Sequence, residues 1–373
     1  MRPYTILASV ALGVFATVQA SCNATLDALV ENGNANLLEI LQSRVGNYSE
    51  TCTSENVKIR REWGALSSTE KKEYIAAIQC LTKLPPITPL SAAPGVRSRF
   101  DDFGALHINK TTTIHWTSIF MAWHRYYTWA YETALRDECG YTGTQPYWDW
   151  SSTDTLDAHP LFDGSETSIG GNGAYIANYT DWVIIPGQTI GNISGQPGGT
   201  GGGCIASGPF ANFTSNLGPH GPPVSDGLAY NPRCLTRNFR DHFLQQHLNY
   251  QNVTEVMLSE DMQTFFNFMG NNRGLHASGH TAMGGFQDDL WASAQDLSFV
   301  FHHAQIDRVW TLWAAQNQTV RTKQVAGTLT LKNQPPSANG TLDTPLDLGY
   351  NGGTKTVGEL SSTIDGIFCY IYA

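Results

Sequence analysis

Residues 115–132, HWTSIFMAWHRYYTWAYE, decide the fold. From Trp123 to Glu138 apolar and aromatic side chains recur at helical spacing, and Gly140 follows as a residue suited to the left-handed turn that ends a helix. His115 and His124 lie nine residues apart, so on one unbroken helix they would point about 180° away from each other. If both serve one centre, the backbone must break between them, which places His115 on an approach loop or in a first turn.

A second group lies downstream. In GLHASGH (274–280), His276 and His280 are four apart and separated by roughly 40° on a helix, so they face the same way. In FVFHHAQIDRVWTLW (299–313), His303 opens a run in which Ile306, Val309, Trp310 and Trp313 recur at helical spacing. Asp307 stands one turn after His303, where a carboxylate can orient a ligand or its neighbourhood. With His107 in FGALHINKTTT, a stretch that reads as irregular, the histidines form two trios: His107, His115 and His124, then His276, His280 and His303. Neutral imidazole binds copper, zinc and iron, and three imidazoles per ion leave positions open for a substrate. Two trios imply two metal ions. Eleven histidines in a chain of this length produce some four-residue spacings by chance, so His276 and His280 alone would read as structural. The combination with His115, His124, the His302–His303 doublet and Asp307 changes that.

These motifs resemble the tyrosinase and catechol oxidase family, a family of type-3 copper proteins that hold two copper ions between four helices. HWTSIFMAWHRYYTWAYE is similar to the first copper motif, and GLHASGH followed by FVFHHAQIDRVWTLW to the second. REWGALSSTEKKEYIAAIQCL (61–81), QPYWDW (145–150) and YIY (370–372) add to the likeness, which covers about residues 55–372. The resemblance assigns His107, His115 and His124 to one copper and His276, His280 and His303 to the other. It leaves His302 beside the ligands rather than among them, with Asp307 on the next turn. Some fungal relatives join the first-trio histidine to a cysteine two residues earlier; Ala105 stands there in this chain and offers no sulfur.

The chemistry implied follows from two close copper ions, each supplying one electron toward dioxygen, while an ortho-diphenol gives two electrons and leaves as an ortho-quinone. In the family, hydroxylation of monophenols is associated with an Asn directly after the first histidine of the second trio and a Glu shortly before it. Here Ala277 follows His276, and no Glu or Asp lies between Met262 and Leu275. The expectation is therefore oxidation of catechols, with ortho-aminophenols as a further class, and weak or absent monophenol hydroxylation; efficient tyrosinase action is the alternative. Leu290, thirteen positions before His303, occupies the place of a bulky residue that in relatives lies over the second copper. With Ala277 and Thr281 it is assigned to substrate access.

Composition fits a secreted glycoprotein. A basic start at Arg2, an apolar run from Ile6 to Val18 and a small-residue pattern ending at Ala20 read as a signal peptide over residues 1–20, leaving 21–373 as a single copper domain. Nine Asn-x-Ser/Thr sequons (Asn23, Asn47, Asn109, Asn178, Asn192, Asn212, Asn252, Asn317 and Asn339) suit N-glycosylation. The seven cysteines all follow the signal segment, allowing up to three disulfides and leaving at least one thiol. No basic stretch offers the electrostatics that nucleic acid or an anionic membrane requires, and the formal net charge is −10. No later stretch reaches the run of apolar residues that a membrane helix needs. The partners expected are small phenols and dioxygen; the oligomeric state is not readable.

The fold expected is mainly α, a four-helix bundle with ligands pointing inward, long Gly/Pro-rich loops and a small C-terminal β portion. Helical patterning is clearest at Ser67 to Leu81, Trp123 to Glu138, Glu255 to Met269 and His303 to Ala315. Gly164 to Pro232 reads as surface loop, with His159, His220, His242 and His247 outside the centre. VAGTLTL (325–331) and IFCYIYA (367–373) read as β-structure. The chain stops just after Tyr372, so a C-terminal domain imposing latency is not expected. Two other classes share part of the pattern. A haemocyanin-like oxygen carrier would use the same ions with phenols shut out, and a dinuclear zinc hydrolase would normally mix carboxylates among its ligands.

Overall fold

Ser98 begins the helix on which the first histidine sits. Its hydroxyl accepts from the Asp101 backbone N–H while the Asp101 carboxylate accepts from the Ser98 N–H, a reciprocal cap that satisfies two of the helix's free donors. The computed structural model describes residues 25–47, 49–179, 198–220, 226–271 and 273–373. The segment read as a signal peptide, the sequons at Asn23 and Asn192, and Cys22 lie outside the described residues.

In chain order the helices are α1 (25–43), α2 (Ser68–Leu81), α3 (Arg99–Ile114), α4 (Phe120–Cys139), α5 (Asp241–His247), α6 (Tyr250–Met257), α7 (Met262–Gly270), α8 (Leu275–Met283), α9 (Phe299–Ala315) and the single-turn α10 (Gln318–Arg321). Helix α4 packs along α9, α3 against α4 and α8 against α9, giving the four-helix arrangement that carries both histidine groups. The bundle is aromatic at its centre: Trp63, Trp123, Trp148, Trp150 and Trp313 are all fully buried, each removing a large apolar area from water. Helix α4 ends as its sequence implies, with Gly140 left-handed at φ 69° and its N–H bonded to the Arg136 carbonyl.

The strands are short: β1 (Lys58–Arg60), β2 (Gly173–Tyr175), β3 (Gly202–Ile205), β4 (Thr214–Ser215), β5 (Arg233–Cys234), β6 (Pro345–Asp347), β7 (Thr354–Thr356) and β8 (Tyr370–Tyr372). The strand β8 pairs in parallel with β1, Lys58 opposite Tyr370 and Arg60 opposite Tyr372, so the segment that precedes α2 meets the last strand. The Cys52–Cys369 disulfide closes the same junction, and Cys80–Cys139 and Cys204–Cys234 account for the other four described cysteines.

Four expectations are corrected. FGALHINKTTT is not irregular: it lies inside α3, where burial of Phe100, Phe103, Leu106 and Ile108 outweighs the poor helix propensity of Gly104 and three threonines. The helix read over Glu255 to Met269 is two, α6 and α7, because Asp261 caps a new helix by accepting from the Thr264 N–H. VAGTLTL forms no strand, only an isolated bridge between Thr328 and Asn339. The Gly/Pro-rich region from Gly164 is not wholly surface loop. Ile169 and Ile205 are buried in the main core, and β2 to β4 lie within it. Among the described residues no helix is long and apolar enough to cross a membrane.

Candidate metal centre

Helix α3 presents His107 from its middle and His115 from its C-cap, where the backbone turns extended (φ −115°, ψ 140°). The chain then passes through Trp116, left-handed at φ 51°, before α4 brings up His124. This is the backbone break that the nine-residue spacing demands. Helix α8 carries His276 and His280 on one face, and α9 carries His302 and His303 in its first turn. All of these histidines are buried.

The first trio is oriented by main-chain carbonyls. His107 Nδ1 lies 2.7 Å from the Trp291 carbonyl, His115 Nδ1 2.9 Å from that of Thr111, and His124 Nδ1 2.9 Å from that of Phe120. A carbonyl only accepts, so each Nδ1 carries the proton and each Nε2 keeps its lone pair. Those three Nε2 atoms are buried without a hydrogen-bond partner among the described residues, an expensive arrangement unless something else binds them. His107, His115 and His124 each offer a ligand nitrogen within 4.8 Å of the others.

The second group has four members within the same 4.8 Å limit: His276, His280, His302 and His303. His276 Nε2 and His280 Nε2 face each other at 3.1 Å. His280 Nδ1 is 2.6 Å from the Gln287 side-chain oxygen, and the Gln287 amide donates onward to Ser298 Oγ at 2.8 Å. The doublet divides cleanly. Trp150 Nε1–H donates to His302 Nδ1 at 3.1 Å, so His302 Nε2 carries a proton and donates to the His276 carbonyl at 3.0 Å. Both nitrogens of His302 are thus engaged, whereas both nitrogens of His303 are buried without a hydrogen-bond partner among the described residues. Gly279 is required by the same packing: a Cβ there would meet His302 Cε1 at 2.0 Å.

The two groups face each other. The His124 and His303 rings stack at 4.3 Å and 11°, His115 and His276 at 5.7 Å and 26°, and Phe299 wedges between His107 (4.9 Å) and His303 (4.2 Å). Burial pushes every one of these imidazoles down from its usual range, His115 to about 3 and His280 to about 4, with the crowding of other imidazoles adding to it at His107, His124, His276, His302 and His303. At neutral pH the whole cluster is uncharged, the protonation state a metal requires.

Asp307 does not reach any histidine of the two groups. Its carboxylate takes Arg125 Nε at 2.5 Å, the Tyr370 and Tyr372 hydroxyls at 2.7 and 2.6 Å, and Arg60 Nη1 at 3.4 Å, joining α9 to α4 and to β8. Ala277 and Thr281 are half-buried one turn apart on α8. Half-buried Leu290 packs against the small apolar cluster that includes Ala105, Ile108 and Trp291. A shallow pocket beside the centre is lined instead by His115, Trp116, Phe120, Phe266, Gly270 and His276. His159 pairs with Glu62, His220 stacks on Trp291, and His242 and His247 lie on α5. Sequence reading missed Gln287 and the Trp291 carbonyl, because neither a lone glutamine nor a backbone acceptor leaves a motif.

A cage of uncharged, inward-facing imidazoles in two facing groups, carried by four helices and one helix cap, defines the class, a protein with a dinuclear metal centre held by histidine. The profile of the common central domain of tyrosinase matches residues 97–316. Tyrosinase P of Aspergillus terreus is 40% identical over 329 residues, 84% of this chain and 91% of its own length. N-acetyl-6-hydroxytryptophan oxidase ivoB of Emericella nidulans is 35% identical over 349 residues, 87% of this chain and 94% of its own. Among solved structures, a point mutant of a polyphenol oxidase from Thermothelomyces thermophila superposes with a TM-score of 0.87 at 37% identity, covering 94% of this chain and 98% of that one. The chain belongs to the tyrosinase family and is a copper oxidoreductase of type-3 class. The partnerless Nε2 atoms fit that cofactor, since neutral imidazole suits copper and the groups contain no carboxylate.

Proposed function

We propose that the protein oxidises ortho-diphenols to ortho-quinones with dioxygen, accepts ortho-aminophenols as a further class, and hydroxylates monophenols weakly or not at all. In this reading His107, His115 and His124 hold one copper and His276, His280 and His303 the other. His302 stays outside because the Trp150 N–H takes its Nδ1 lone pair and its Nε2 carries a proton given to the His276 carbonyl, which leaves no nitrogen lone pair for a metal. The observation that carries the reading is the set of buried ring nitrogens, one on each first-trio histidine and two on His303, that nothing among the described residues satisfies. When bound, the copper pair supplies two-electron exchange between phenol and dioxygen. The residues contribute ligation in the neutral state, fixed ring orientation through Trp291, Thr111, Phe120 and Gln287, and a low-dielectric surround.

Preference for catechols rests on the surroundings of the second group. Among the described residues no carboxylate hydrogen-bonds to any of the six histidines, and Ala277 offers no amide to hold a water as proton acceptor beside His276. The names of the two relatives, a tyrosinase and a hydroxytryptophan oxidase, favour a second reading in which monophenols are true substrates. Initial rates on 4-tert-butylcatechol and 4-tert-butylphenol, with copper counted per chain, separate the readings. Two coppers with catechol turnover and a slow, lagging phenol reaction are expected; lag-free phenol oxidation at the catechol rate rejects the preference. Two coppers without turnover of either phenol would point to an oxygen carrier.

We further propose that residues 1–20 are removed on secretion and that 21–373 act as one copper domain. Three disulfides suit an oxidising compartment. The sequon asparagines at 47, 109, 178, 212, 317 and 339 are exposed, as glycosylation requires.

A further inference from the structure

A cation lies over one of the rings that line the pocket beside the histidines. Lys332 lies far from the copper motifs in sequence, yet its ammonium sits 4.3 Å from the ring centroid of Trp116, and the Trp116 ring is 6.1 Å from that of His115. Trp116 itself is held: its Nε1–H donates to the Gly270 carbonyl at 2.8 Å, and both Trp116 and Gly270 line the pocket with His115 and His276. The two segments are joined through the main chain as well, the Lys332 N–H reaching the Trp116 carbonyl at 3.4 Å.

Three non-glycine residues here adopt the left-handed conformation: Trp116 at φ 51°, Lys332 at φ 51° and Asn333 at φ 57°. Such conformations persist where surrounding contacts over-determine them, and they concentrate at binding sites. Lys332 is exposed and, among the described residues, forms no ion pair with a carboxylate. In a chain of net charge −10, an unpaired ammonium fixed over an aromatic wall of the pocket is a specific feature.

We propose that Lys332 and Trp116 form a substrate subsite that receives the carboxylate of a phenolic acid. The Trp116 ring borders the side chain of the phenol, and the ammonium held over that ring pairs with the acid at its far end while the catechol ring lies toward His115 and His276. The acid assigned is an aryl-propanoic acid, whose two methylenes carry the carboxylate away from the catechol ring. This rests on the oxidase reading above.

The test uses the copper-loaded protein and matched substrates, 3-(3,4-dihydroxyphenyl)propanoic acid and its methyl ester, at low ionic strength. The acid-over-ester preference in kcat/KM should fall roughly two- to fivefold in Lys332→Gln, as for an ion pair near the surface. It should survive in Lys332→Arg, reverse in Lys332→Glu, and weaken with added salt in the parent protein. Calorimetric binding of 3-phenylpropanoate against 3-phenylpropanamide supplies a readout that needs no turnover. Binding should favour the carboxylate in the parent and lose that preference in Lys332→Gln. If acid and ester, or carboxylate and amide, respond alike to all three substitutions, the subsite is rejected while the oxidase reading stands. If two coppers are bound and neither substrate turns over, it is the oxidase reading that fails.

Discussion

The Nδ1 of His280 and the side-chain oxygen of Gln287 lie 2.6 Å apart, which makes His280 unlike the first-trio histidines, each of which leans on a main-chain carbonyl. A side-chain acceptor can be changed without moving the backbone. Gln287→Ala should leave His280 Nδ1–H without its partner, at a cost of about 1–3 kcal/mol, and should weaken copper retention roughly 10–100-fold. Gln287→Glu keeps the acceptor and should retain metal better than the alanine variant. Copper counted per chain during chelator competition measures this; equal retention by all three proteins would show that Gln287 does not steer the ligand.

The copper-free protein should lose stability on mild acidification. Burial holds the His280 pKa at about 4 against a usual 6.5, so the unfolded chain binds protons that the folded chain refuses. A depressed pKa contributes its stability above the unfolded value, and that contribution disappears as pH falls from 6.5 through the folded value. His280 alone accounts for about 3 kcal/mol by pH 4, and His115, held at about 3, adds a loss extending lower. Urea unfolding of the copper-free protein at pH 7, 5.5 and 4 reads this directly. A flat profile would mean that the imidazoles protonate without unfolding.

Asp307 neutralises a buried knot. Arg60 pairs with both Glu132 and Asp307, and the carboxylate also takes Arg125 and two tyrosine hydroxyls. Asp307→Asn should destabilise by about 3–5 kcal/mol, because two guanidinium groups lose a buried counter-charge. Tyr372→Phe, which removes one hydroxyl, should cost nearer 1 kcal/mol. Denaturant midpoints compare the two, and an Asp307→Asn effect no larger than that of Tyr372→Phe would show the knot to be dispensable.

Ala277 is the position at which the preference among phenols can be shifted. It follows His276 and is half-buried on α8. Ala277→Asn introduces an amide that can hold a water near the second histidine group, and the phenol-to-catechol ratio of initial rates should rise roughly tenfold, on the low side for a positioned proton acceptor. An unchanged ratio would place control of hydroxylation elsewhere.

Much of the centre was legible in the sequence because local geometry dictates it. Four-residue spacing on a helix put His276 and His280 on one face, and the nine-residue spacing of His115 and His124 demanded the break now seen around Trp116. Gly140 marked a helix end for the same local reason. Other features depend on partners distant in sequence. His107 is helical because its apolar neighbours are buried against the bundle. Asp307 turned from the histidines because Arg60, Arg125 and the terminal tyrosines offer it charge and hydroxyls. His302 is distinguished from His303 only through Trp150 and the His276 carbonyl. Spacing fixes which side chains share a face, whereas hydrogen-bond satisfaction in a packed interior decides which nitrogen remains free, and that competition is settled only once the whole chain has folded.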